Sequence, residues 1–196
     1  MKKLGIFGGT FNPVHNGHMA VAGAAVSEFG LDRLMFLPNY QPPHKKCEAE
    51  PYIRLQMAEA AAKADERYFV SDFEINKGGI SYSAHTLQAF SEIYRGEELY
   101  FIIGGDSLRD FTKWYMPEEI VRRCILLTYP RNDINPEVHI NNLQKELGAE
   151  VYQIHAPEIN ISSSEIRSLV RSGESVSGLV PPAVLEIIEK NNLYKG

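Results

Sequence analysis

Apolar residues fall along this chain in two rhythms, and their alternation is the first structural signal. Lys3–Phe7, Arg33–Leu37, Leu99–Ile103, Ile125–Thr128 and Val151–Ile154 are short, nearly continuous apolar runs, the pattern of strands buried on both faces. Tyr68–Ile75 alternates and predicts a further strand. Between these runs lie stretches with helical spacing. Over His18–Phe29 small and apolar residues crowd together, and Gly30 stops them. Tyr52–Ala64 carries Ile53, Leu55, Met57, Ala58 and Ala61 along one stripe, with Arg54 and Glu59 outside it. Helices are also predicted near Ala84–Tyr94, over Ser163–Arg171 and over Pro182–Asn191.

Strands that alternate with helices imply parallel βαβ units, with the helices covering both faces of the sheet. No internal repeat, low-complexity tract or linker interrupts the pattern. The expected fold is one doubly wound, Rossmann-like α/β domain spanning residues 1–196, with a mostly parallel sheet. Ligands of such folds sit beyond the carboxyl ends of the strands, at the switch point, so the loops that follow strands are the ones to read.

The composition narrows the partners. A chain of 196 residues, 44% of them hydrophobic, suits one full core. A net charge of -5 argues against nucleic-acid binding, so an anionic ligand must be met by a local cluster of positive charge. Cys47 and Cys124 match no metal spacing and suggest a reducing compartment. No apolar run reaches the roughly 18 residues of a membrane span, and the run ending at Phe7 is too short for a signal-peptide core. A cytoplasmic location is expected.

Four loops after strands carry unusual residues: "GGTFNPVHNGH", "PNYQPPHKK", "GGDSLRDFTKWY" and "ISSSEIR". In the first, Gly8 and Gly9 allow close backbone approach, and the helix behind them presents free amides and a positive dipole end. It is neither of the common glycine-rich phosphate fingerprints. His15 and His18 lie at the helix start, where both rings can reach one ligand. Three readings stand: a metal pair, a helix cap, or an anion-binding pair. A zinc site needs further ligands at suitable spacing, and none follows, so no protein-held metal is expected. In "ISSSEIR", Ser162 and Glu165 have capping-box spacing, so a second helix starts there, with Ser163 and Arg167 nearby for phosphate oxygens. Two helix starts at one sheet edge suit a polyphosphate.

These motifs, with "GISYSAHTL", "YFIIGGDSLRDFTKWY", "ISSSEIRSLVRSG" and "VLEIIEKNNLY" in this order, resemble the bacterial nicotinate-nucleotide adenylyltransferases of the His-x-Gly-His nucleotidyltransferase superfamily. The resemblance implies transfer of adenylate from ATP to nicotinate mononucleotide, with Mg²⁺ carried in on ATP. It assigns the ATP phosphates to His15, His18, Ser162, Ser163 and Arg167, and the nucleotide's contact with backbone to Gly8, Gly9, Thr10 and Phe11. Gly104 and Asp106 match the family's ribose-binding loop, although Gly105 here stands where the family often has alanine. Trp114 matches the tryptophan that stacks on the pyridine ring, and Tyr82 and Ser83 the turn that receives the nicotinate carboxylate. Asn39, His44 and Lys45 match the loop near the phosphates, with Lys45 joining His15, His18 and Arg167 as the catalytic charges. Arg131, after a strand end, is a further candidate. Relatives include dimers and larger assemblies, so the resemblance admits a homo-oligomer; it implies small-molecule substrates, and neither nucleic acid nor membrane.

Overall fold

The computed structural model describes residues 1–43, 47–130, 136–157 and 161–195. Six strands form one parallel sheet: β1 (Lys2–Gly9), β2 (Arg33–Pro38), β3 (Tyr68–Val70), β4 (Glu97–Gly104), β5 (Ile125–Tyr129) and β6 (Val151–Gln153). Their order is β3-β2-β1-β4-β5-β6. The chain starts in the middle, winds outward through β2 and β3, then crosses back to β4. That reversal puts the switch point between β1 and β4, where a crevice opens at the carboxyl ends. The register sets Gly9 beside Pro38 and Phe7 beside Ile102.

Each face of the sheet has its own core. On one face Phe7, Leu34, Phe36, Ile102 and Leu127 pack under α1 (Asn16–Phe29), α2 (Pro51–Ala62), α8 (Ser163–Arg171) and α9 (Pro182–Lys190). On the other, Leu4, Ile6, Phe101, Ile103 and Leu126 pack under α4 (Ser83–Ile93), α6 (Pro117–Val121) and α7 (Pro136–Leu147). Successive strand residues point to opposite faces, so a run that must fill both cores has to be apolar throughout. Gly30 ends α1 with φ 60° and ψ 44°, a left-handed position that costs glycine little, and its N–H reaches Val26 O.

The elements depart from the expected pattern in several places. The alternating run Tyr68–Ile75 is a strand only to Val70; Phe73–Lys77 is a short helix, α3. Ser71 breaks the strand by accepting the Phe73 N–H at 3.3 Å, and Asp72 begins the turn. Arg54, expected on the outer face of α2, is fully buried. The loop after β4 is largely helical, with α5 at Gly105–Arg109, a 3₁₀ turn at Phe111–Lys113 and α6 beyond it. Among the described residues no helix is long and apolar enough to cross a membrane.

Candidate active site

A cavity of about 1260 Å³ opens at the switch point. Its floor is the end of β1. A Cβ on Gly8 would come within 3.0 Å of the Phe101 ring, and one on Gly9 within 3.2 Å of the Phe11 ring. The two glycines therefore let aromatic rings close against the strand, besides bordering the cavity themselves. Phe11 has φ 47°, a left-handed conformation that strains a bulky residue. It is held there by burial against Phe7, Phe36 and His18, at centroid distances of 5.6, 5.7 and 5.2 Å. The Asn12–Pro13 peptide is cis.

The loop after β1 is held by distant parts of the chain. Gly9 O accepts the Asn39 N–H at 3.0 Å. Thr10 O accepts from Arg54 at 2.7 Å, Asn12 O from Arg167 at 2.9 Å, and Pro13 O from the Ser163 hydroxyl at 3.0 Å. The buried Asn12 side chain accepts at Oδ1 from the Tyr194 hydroxyl, 2.8 Å, and from the Ala49 N–H, 3.3 Å. This gives a role to Tyr194, which sequence patterning left without one.

At the start of α1 the two histidine rings stack, with centroids 3.7 Å apart. His18 Nδ1 accepts the His15 backbone N–H at 3.2 Å. A ring nitrogen that accepts cannot carry a proton, so the ring proton of His18 sits on Nε2. His18 borders the cavity, whereas His15, also buried, is not among the residues lining it. The pair thus combines a helix-start bond with one imidazole at the cavity wall. Among the described residues no group of three or more histidine, cysteine or acidic side chains is placed to hold a metal.

At the second helix start, Ser162 is the N-cap of α8, and its Oγ accepts the Glu165 N–H at 3.1 Å. Ser163, Ser164 and Arg167 border the cavity; Ser162 does not. Arg167 is engaged at every nitrogen: Nη1 with Asn12 O, Nη2 with Ser164 Oγ at 3.3 Å, and Nε with Glu48 Oε1 at 2.9 Å. The other Glu48 oxygen accepts from Arg171 at 2.7 Å. Partial burial works to raise the Glu48 pKa, but the bonds and charges of Arg167 and Arg171 outweigh it and hold the carboxyl below its ordinary value.

The far wall joins the remaining segments. Thr10, Asn39, Gly104, Asp106, Tyr82, Ser83 and Trp114 all border the same cavity. Asp106 Oδ1 accepts the Ser107 N–H at 2.9 Å. Gly105 is the buried first residue of α5, so the chain is helical from that point. Trp114 is half-buried, with its ring 5.2 Å from Phe111 and 6.5 Å from Phe101, so the core on that side seats it. The Tyr82 turn is tied to the β2 exit by Tyr40 N–H to Ser81 Oγ, 3.1 Å. His44, Lys45 and Arg131 lie outside the described residues.

Several bordering residues escaped sequence reasoning. Tyr115 lies at the rim with its ring 4.9 Å from Tyr82 and 5.2 Å from His85, beside Met116, whose φ is 53°. Glu74 is buried, and its Oε1 accepts the Thr86 hydroxyl at 2.6 Å. Burial pushes its pKa up, while bonds from Thr86 and Ser81 and the charge of Lys77 pull the other way and lose. Cys47 also borders the cavity. Cys124 is buried in the core, which pushes its thiol up to about 12. Only Tyr115 had a sequence signal, its place next to Trp114.

A parallel sheet in this order, with two helix starts and a histidine wall on one crevice, defines a nucleotidyltransferase of the cytidylyltransferase-like class, and residues 6–169 match that family's model. Curated relatives include a Clostridium novyi protein, 36% identical over 200 residues and 100% of both chains, and one from Caldicellulosiruptor bescii, 38% identical over 98% of this chain and 99% of its own. Both carry the name "Probable nicotinate-nucleotide adenylyltransferase". Among solved structures, a Plasmodium falciparum nicotinic acid mononucleotide adenylyltransferase complexed with NaAD superposes with a TM-score of 0.84 at 20% identity, covering 99% of this chain and 98% of that one. The chain belongs to the nicotinate-nucleotide adenylyltransferase family.

Proposed function

We propose that the protein joins ATP and nicotinate mononucleotide to give nicotinic acid adenine dinucleotide and pyrophosphate, as a cytoplasmic step of NAD biosynthesis. The observation that carries the reading is one cavity of about 1260 Å³ bordered by the β1 loop, the Tyr82–Ser83 turn, Asp106, Trp114 and the start of α8. That volume exceeds the several hundred Å³ typical of single small-ligand pockets and suits two nucleotides side by side.

A phosphate oxygen of the mononucleotide attacks the ATP α-phosphorus in line. The new P–O bond forms as the bond to the bridging oxygen breaks, and pyrophosphate departs with that electron pair. The attacking oxygen is already ionised at neutral pH, so no general base is needed. The barrier lies in bringing two anions together and in the charge that gathers on the leaving group, both of which fixed donors relieve. His18 Nε2–H, Ser163, the α8 amides and Arg167 are the donors at the phosphate end, with His15 seating His18. Lys45 adds a further positive charge, and His44 and Asn39 serve the mononucleotide. Mg²⁺ carried in on ATP would supply neutralisation of the phosphate charge. Asp106 takes ribose hydroxyls, the Trp114 ring lies against the pyridine, and the amides opening α4 receive its carboxylate.

The test is pyrophosphate release with ATP, Mg²⁺ and, in separate reactions, nicotinate mononucleotide, nicotinamide mononucleotide and phosphopantetheine. Release is expected with nicotinate mononucleotide; no release with either pyridine nucleotide would sink the assignment. Inversion at the α-phosphorus is expected, and retention would rule out direct displacement.

A further inference from the structure

First among the fully buried side chains by size is a cation. Arg54, on the first turn of α2, is 0% exposed. Among the described residues its guanidinium bonds only to neutral acceptors: Nε donates to Ala49 O at 3.2 Å, Nη1 to Thr10 O at 2.7 Å and more weakly to Asn39 Oδ1 at 3.5 Å, and Nη2 to Tyr40 O at 2.7 Å. Among the described residues no carboxylate bonds to it. Burial lowers its pKa, against small opposing contributions from Cys47, Tyr194 and Glu50, yet an arginine remains charged at neutral pH.

Taking a charge out of water without a counter-charge is costly, and an apolar side chain of similar volume would fill the space at less expense. What an apolar residue would not supply is the fork. Arg54 reaches three segments at once: Thr10 after β1, Asn39 and Tyr40 after β2, and Ala49 before α2. Thr10 and Asn39 border the cavity, and Ala49 adjoins Glu48, the partner of Arg167. A planar guanidinium fixes the angles between these carbonyls, whereas a lysine ammonium, with its three donors on one rotating nitrogen, neither spans them nor fixes their angles.

We propose that Arg54 is a positioning residue for the transfer reaction, setting the β1 and β2 exit loops at a common spacing from beneath the cavity. It touches neither substrate. It acts through Thr10 and Asn39, and its charge, with no carboxylate bonded to it among the described residues, lies under a site that the proposed function fills with polyanions. The role in turnover rests on the function proposed above; the role in loop placement does not.

The test uses Arg54→Lys, which keeps the charge, and Arg54→Gln, which keeps some donors without it. Amide hydrogen exchange is followed over residues 9–15 and 37–43, with α4 and α9 as internal references, and kinetics are measured where circular dichroism shows each variant folded. Exchange is expected to quicken in the two loops alone. Turnover is expected to fall about 10²-fold, the scale of an ångström-level misplacement, with KM for ATP moving by less than about threefold. Unchanged exchange in both loops, or a folded Lys variant with kcat within about threefold of the parent, overturns the proposal. Failure of both variants to fold also overturns it, by assigning Arg54 to the fold itself. A parent protein that releases no pyrophosphate removes the proposed function instead, and the exchange arm still decides the placement of the loops.

Discussion

Replacing Glu48 by Gln isolates one question about the phosphate end of the cavity. Glu48 bridges Arg167 at 2.9 Å and Arg171 at 2.7 Å, so in this structure a carboxylate occupies part of the donor set assigned to the outgoing phosphates. Polyphosphate must displace or share that partner, and two anions on one guanidinium repel. Glu48 is 45% exposed, so solvent screens the pairs and each is worth at most about 1 kcal/mol. Removing the carboxylate charge keeps the side chain's shape and returns up to that amount to phosphate binding. The expected result is a KM for ATP lowered by up to about fivefold, with kcat little changed. Initial rates of pyrophosphate release across ATP concentrations, at low salt and again at about 0.5 M salt, measure it, and screening should shrink the difference. A KM that rises on substitution would refute the reasoning, because Glu48 would then be holding Arg167 in its working position.

Other substitutions test other parts of the structure. His18→Ala should lower kcat about 10²–10³-fold, the usual cost of one fixed donor at a developing anion; near-parental turnover in a folded variant would remove it from the site. Thr128 is fully buried on β5, and its hydroxyl has no hydrogen-bond partner among the described residues. Thr128→Val should therefore be neutral or stabilising, by about 1 kcal/mol and about 2–4 °C in Tm by calorimetry. A loss of several degrees would mean the hydroxyl is satisfied. Glu74 has a folded-state pKa raised above its ordinary value of 4.5, so the folded state holds its proton more tightly than the unfolded chain does. Its contribution is complete below about pH 4.5 and is lost as pH rises through the raised value. Glu74→Gln keeps an acceptor for Thr86 and removes that loss. Its Tm relative to the parent should climb from acid toward neutral pH, and a flat difference would contradict the shift.

Much of the fold was legible because both faces of the sheet are covered. Strands such as Ile125–Tyr129 must then be apolar throughout, and such runs stand out in sequence. The short helices α3, α5 and α6 did not stand out, since five residues cannot display a period of 3.6. α7 was missed although Ile140, Leu143 and Leu147 fall at helical spacing, because the stripe is narrow and mostly polar residues surround it. At the site, histidines and serines could be picked out by residue type and placement after strands, whereas Trp114 was assigned only through the family resemblance. Arg54 could not, because helical spacing treats an arginine as polar and therefore outward. Only the three-dimensional meeting of Thr10, Tyr40 and Ala49 supplies the carbonyls that make its burial tolerable. Glu48 was equally silent, being defined by partners 119 and 123 residues away.

The loop between Gly9 and Pro13 has a consequence in time as well as space. Its fastenings join residues separated by 44, 150, 155 and 182 positions. Each of the three longest closes only after α8 or Tyr194 has docked, and the entropy of closing such spans must be met before any of these bonds helps. Sheet and helices can form on local and neighbouring contacts while Asn12 and Pro13 still lack the bonds that fasten them. On refolding from denaturant, far-ultraviolet ellipticity should therefore recover ahead of pyrophosphate release, and competence for turnover should be among the last properties the chain regains.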